Sequence, residues 1–101
     1  MRCYPCDLSL AEERARLLTA LSAEGLQCWG GFNVAGIDYE GPFLERTRER
    51  ILRTVRVNIE ATIDMTYGLL AMRDPQSTFR LLSVSSLAAF QPMAFKATYA
   101  A

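Results

Sequence analysis

The chain has 101 residues, eleven of them basic and eleven acidic, for a formal net charge of zero. That length admits one domain, and 50% apolar with 22% charged residues excludes wholesale disorder. There is no histidine, which removes Ser-His-Asp, Cys-His and His-metal chemistry from this chain and weighs toward a binding or structural role over an enzyme.

Residues 1–10 lack the central apolar run of a signal peptide. The longest uncharged run, fifteen residues between Arg80 and Lys96, falls short of the ~20 needed to span a bilayer. The expectation is a cytoplasmic protein with reduced cysteines. Residues 9–24 read as a helix. Ser9 and Glu12 have capping-box spacing, and Leu10, Leu17, Leu18 and Leu21 form one apolar stripe. Gly25 is its stop. Residues 26–41 hold four of the six glycines and read as an ordered loop with room for a short hairpin.

Pro42 suits a first helical position, and the 3.6 period then runs to Arg73. Leu44, Ile51, Leu52, Val55, Ile59, Ile63 and Leu70 share one side, and Arg46, Arg50, Arg53, Glu60 and Asp64 the other. Such a helix would be about 48 Å long. Asp74 and Pro75 punctuate the chain and open a last helix over 75–91, broken by Pro92. It is apolar nearly all round, with Phe79, Leu82, Ser86, Phe90 and Met93 on one face. These periods predict an all-α fold, a small helical bundle or helical hairpin with a Gly-rich N-terminal loop. Residues 1–41 would form the N-terminal helix and loop, and 42–101 an antiparallel hairpin turning at Asp74-Pro75.

Four groupings are candidates for chemistry. Cys3-Tyr-Pro-Cys6 has redox spacing but only two residues before it, and with Cys28 it gives three thiols, one short of a zinc site. These read as incidental thiols, although their place before a helix would lower a thiol pKa. Gly30, Gly31 and Gly36 do not fit G-x-G-x-x-G and read as turn geometry. Arg46, Arg48, Arg50, Arg53 and Arg56 are interleaved with Glu45, Glu49 and Glu60, the pattern of a solvated face, with Glu49 and Arg53 paired at i,i+4. Glu60 and Asp64, one turn apart on that face, lack the contrasting environments a catalytic pair needs.

Residues 67–99 resemble the phasin family, small helical proteins that coat polyhydroxyalkanoate granules. The resemblance rests on Arg73-Asp74-Pro75-Gln76, on Ser86-Leu87-Ala88, on Gln91-Pro92, on Lys96 and on the Ala97-Thr98-Tyr99 ending, with VRVNIEATIDM (55–65) upstream. It implies a non-enzymatic, cofactor-free, homo-oligomeric protein on a granule surface, with no nucleic-acid partner and no membrane span. Phe79, Leu82, Leu87, Phe90 and Met93, helped by Leu52, Ile59, Ile63 and Leu70, would contact polymer or a second copy. Asp74 and Pro75 would form the helix junction. The alternatives are a small helical interaction or regulatory module, and a nucleic-acid binder using Arg46, Arg50 and Arg53.

Overall fold

A computed structural model describes residues 1–101. Helix α1 spans Ala11–Ala23, close to the expected 9–24, and Gly25 ends it at φ +69°. The cap differs from the expected box. Ser9 bonds to Asp7 Oδ1 through both its backbone N–H (2.9 Å) and its hydroxyl (2.6 Å). Glu13, not Glu12, reaches back, accepting from the Asp7 backbone N–H at 2.5 Å.

The glycine-rich segment contains a strand, β1, at Gly30–Asn33. A short 3₁₀ turn at Phe43–Glu45 follows Pro42, so the long helix starts later than expected. Thr47 caps it, its hydroxyl accepting from Arg50 N at 3.3 Å. It then runs unbroken as α2 (Arg48–Val55), a π turn (Arg56–Glu60) and α3 (Ala61–Ala71). Asp74 makes a turn and no helix: Oδ1 accepts from Gln76 N at 2.9 Å and Oδ2 from Ser77 Oγ at 2.8 Å. The expected helix over 75–91 is absent. Strand β2 occupies Arg80–Ser83, a 3₁₀ turn Leu87–Ala89, and a four-residue helix α4 Ala97–Ala100.

β1 and β2 pair in parallel, Gly30 opposite Arg80 through Asn33 opposite Ser83. Two parallel neighbours need a long crossover, and the 48–71 helix supplies it. The fold is therefore α/β, not the all-α bundle or hairpin that the periods predict. The strands approach closely because Gly30 has no side chain: a Cβ there would lie 2.7 Å from the Arg80 carbonyl oxygen. Gly31 admits Leu69 of α3 and Gly68 admits Leu18 of α1, where a Cβ would sit within 2.8 and 2.4 Å of the leucine. These glycines serve packing, not turns.

Arg14, only 2% exposed, joins α1 to the long helix. Its guanidinium donates to Asp64 Oδ2 at 2.6 Å, to Glu60 Oε1, and to the Leu8 carbonyl at 2.7 Å. The two carboxylates read as a solvated face thus clamp a buried cation, and the Asp64 hydrogen bond, then Glu60, raises the Arg14 pKa. The arginine face is likewise spoken for. Arg53 lies 3.6 Å from Asp7, Arg56 bonds Glu49 at 2.9 Å, and Arg50 stacks over Tyr39.

The chain leaves much apolar surface uncovered. Its accessible surface is 7492 Å², against about 5,700 Å² expected of a folded monomer of this mass. Its radius of gyration is 15.7 Å, against about 12.7 Å for a compact domain of this length. Phe32, Leu81, Leu82 and Val84, in and just after the strands, are all exposed. A two-stranded sheet of this kind is not self-sufficient, because its open edges and bare face still need partners. No helix is long and apolar enough to cross a membrane.

Candidate functional site

Both strands end at one cavity of about 450 Å³. The loop after β1 (Asn33–Asp38) forms one wall and the turn after β2 (Ser83–Ser86) the next. The long helix contributes Thr54, Asn58 and Thr62, and the last segment Thr98 and Tyr99. In an open parallel sheet, the carboxyl ends of the strands are where ligands bind, because helix and loop connections leave a crevice there.

Each polar side chain in the cavity is placed by a different element. Asn33, closing β1, donates to Thr66 Oγ1 of α3 at 2.9 Å and to Ser83 Oγ at 3.4 Å, tying helix and strands together. Asn58 lies in the π turn, where the Ala61 N–H reaches back five residues to Arg56. Such a turn inserts one residue into the helical period and re-aims the side chains around it. The Asn58 amide meets the backbone of Ile37 twice, accepting from its N–H at 2.8 Å and donating to its C=O at 2.9 Å. A loop residue with no strand partner is thereby given both its hydrogen bonds. Ser86 Oγ accepts from Ala88 N at 3.2 Å, which leaves its proton to donate. Tyr99, half-buried, sits on the first turn of α4.

Lys96 Nζ bonds Asp38 Oδ2, a cavity residue, and Glu40 Oε1, the latter at 2.7 Å. The Asp38 bond, then the Glu40 bond, raises the Lys96 pKa. The thiols do not join the site. Cys3, Cys6 and Cys28 are free, and burial, with Glu13 and Asp7 nearby, pushes the Cys6 thiol up. That is the opposite of the lowering expected from a helix N-terminus.

The strands, the crossover helix and the crevice at their carboxyl ends have a counterpart among known proteins. The family model for short chain dehydrogenases matches residues 1–101. The chain belongs to the short-chain dehydrogenase family. Solved structures agree on the fold. A short-chain dehydrogenase/reductase from Burkholderia vietnamiensis is 29% identical, with a TM-score of 0.81 over 94% of this chain and 48% of that one. A 4-hydroxyisoleucine dehydrogenase complexed with NADH and succinate is 21% identical, with a TM-score of 0.88 over 97% of this chain and 47% of that one. A short-chain dehydrogenase family protein from Francisella tularensis subsp. tularensis SCHU S4 is 18% identical, with a TM-score of 0.81 over 96% and 38%. The chain thus spans 38–48% of the length of these structures. No curated protein matches it.

Membership of a dehydrogenase family overturns the phasin resemblance, and with it the non-enzymatic granule coat and the granule surface as partner and location. The residues that carried the resemblance have other places. Asp74 and Pro75 turn the chain between α3 and β2, and Leu82 lies in β2. Phe79 is half-buried, packed near Gly31, while Leu87, Phe90 and Met93 are exposed in the turns that follow β2. Leu52, Ile59, Ile63 and Leu70 are exposed along the long helix, and only Ile59 of the nine borders the cavity.

Asn58, Ser86 and Tyr99 escaped sequence reasoning as a site, although all three stand inside the stretches quoted for the resemblance. Only the parallel pairing of β1 with β2 brings them to one cavity.

Proposed function

We propose that this chain builds the substrate side of a dehydrogenase that interconverts an alcohol and a carbonyl with a nicotinamide dinucleotide. The observation that carries the proposal is the cavity at the carboxyl ends of β1 and β2, lined by two hydroxyl-bearing residues, Ser86 and Tyr99. The similar 4-hydroxyisoleucine dehydrogenase was solved with NADH, which supports a dinucleotide as the class of cofactor.

The residues present fit one side of such a cofactor. Gly36 leaves the wall as bare backbone: a Cβ there would meet only Asn58 Oδ1, at 3.7 Å, so packing does not demand glycine. A flat ligand lying against that wall does gain from it. The phosphate fingerprint G-x-G-x-x-G is not among these 101 residues, and none of them is assigned to the pyrophosphate.

A bound nicotinamide supplies or accepts the hydride. What the chain must manage is the oxygen of the substrate, which gains negative charge as a carbonyl is reduced. Ser86 donates its free hydroxyl proton toward that oxygen and holds it in place. Tyr99 carries the proton, giving it up in reduction and taking it back in oxidation; tyrosine serves as a general acid where no histidine is present. Asn58 touches no substrate in this scheme, and through Ile37 it holds the opposite wall still.

The test compares the purified protein with Ser86→Ala and Tyr99→Phe variants. Nicotinamide absorbance follows turnover on a panel of secondary alcohols, and NADH fluorescence follows binding. Each substitution should lower kcat by about 10²-fold or more and leave NADH affinity within about threefold. Full activity in Tyr99→Phe would refute the proposal.

A further inference from the structure

The loop after β1 and the segment leading to Tyr99 are braced together at one corner of the cavity. Lys96 Nζ bonds Asp38 Oδ2 and Glu40 Oε1 and lies 5.5 Å from the centroid of the Tyr99 ring. The Lys96 and Asp38 side chains are about four-fifths buried, at 23% and 19% exposure, so this pair is not the solvent-screened surface kind that contributes little. Asp38 also lines the cavity, as do Thr98 and Tyr99. One residue earlier, Phe95 has φ +63°. That region is disfavoured for a bulky side chain and persists only where the surroundings hold it. The Phe95 carbonyl accepts from Gly41 N at 3.2 Å and from Arg46 Nη2 at 2.5 Å.

Two consecutive residues, one of them strained, thus take four polar contacts from the 38–46 loop. Lys96 is also the cap of α4, its carbonyl accepting from Ala100 N at 2.8 Å. A rotation at Lys96 therefore turns the helix that carries Tyr99. We propose that Lys96 is a positioning residue: its ion pairs with Asp38 and Glu40 fix the Tyr99 ring against the loop wall of the cavity. The role rests on Tyr99 as the proton carrier. It explains why a strained residue lies here: the left-handed turn at Phe95 brings the ammonium back toward the loop. A misplacement of about 1 Å at a reacting group is enough to lower a rate by as much as 10²-fold.

The experiment measures kcat, KM and amide hydrogen exchange for the wild type, Lys96→Met, Lys96→Arg and Asp38→Asn. Lys96→Met should lower kcat for a secondary alcohol by about tenfold with KM within about twofold. Lys96→Arg, which keeps the charge, should recover most of the loss. The Gly41 amide, bonded to Phe95, should exchange about tenfold faster in Lys96→Met and near the wild-type rate in Lys96→Arg. If Lys96→Met does not fold, Asp38→Asn, which removes the charge and keeps the shape, carries the same expected drop. Unchanged kcat, a loss confined to KM, or an equal loss in the Met and Arg variants would overturn the proposal. A wild type that oxidises no alcohol would defeat the dehydrogenase reading separately. The brace would then stand on Gly41 exchange alone, and unchanged exchange in Lys96→Met would overturn it.

Discussion

Replacing Asn58 by alanine tests whether one side chain holds the loop wall of the cavity. The amide makes two hydrogen bonds, of 2.8 and 2.9 Å, to the N–H and C=O of Ile37. Each is worth about 1 kcal/mol net, and leaving two part-buried backbone groups unpaired adds a desolvation cost of about 1 kcal/mol or more. Alanine returns about 0.5 kcal/mol through its better helix propensity. The balance is a loss of about 2–3 kcal/mol, a large share of the stability of a marginal domain. Urea unfolding at neutral pH measures it, with an unchanged slope showing that the two end states are comparable. Asn58→Asp separates bonding from shape. The carboxylate still accepts from the Ile37 N–H but sets a negative oxygen against the Ile37 carbonyl. It should cost at least as much as alanine at neutral pH and recover as the carboxyl protonates in acid. A loss below about 0.5 kcal/mol in Asn58→Ala would refute this account, since an exposed substitution costs no more than that.

Three further outcomes follow from the same contacts. Arg14→Met should destabilise by about 2 kcal/mol in urea unfolding, less than the 3–5 typical of a broken buried pair, because Glu60 and Asp64 are 53% and 40% exposed and can rehydrate. Phe95→Gly should raise stability by up to about 1 kcal/mol, since glycine carries no penalty at φ +63°; a lower urea midpoint would show that the Phe95 side chain matters more than the strain. The Gln76 N–H, then the Ser77 hydroxyl, holds the Asp74 carboxyl below its ordinary value. Its contribution is therefore complete above about pH 4 and is lost as pH falls through the lowered value. The stability gap between wild type and Asp74→Ala should shrink in acid, and a gap independent of pH would contradict the turn.

Local signals in the sequence reached as far as single helices. The leucine stripe and Gly25 located α1, and the period from Pro42 to Arg73 located the long helix, placing its start six residues too early and its end two residues late. The π turn at Arg56–Glu60 left no mark, because one extra residue barely disturbs an apolar period. The strands were illegible for a different reason. GGFN and RLLS are four residues each, too short for alternation to show. Short apolar runs of this kind read equally well as buried helix, which is how 75–91 came to look helical. The glycines pointed to turns, yet Gly30 and Gly31 let a strand and a leucine approach, a reason that only the partner's position supplies. The missing histidine weighed against an enzyme. That inference fails where a cofactor carries the hydride and a phenol can carry the proton. Ser86 and Tyr99 are unremarkable polar residues until β2 and α4 bring them to one cavity.

The most direct test of the central claim is the nicotinamide-coupled turnover of secondary alcohols by wild type and Tyr99→Phe, with NADH binding measured on both. The account predicts turnover in the wild type, a loss of about 10²-fold or more in the variant, and unchanged NADH binding. NADH binding with equal turnover in both proteins would contradict it, and so would a wild type that neither binds NADH nor oxidises any alcohol.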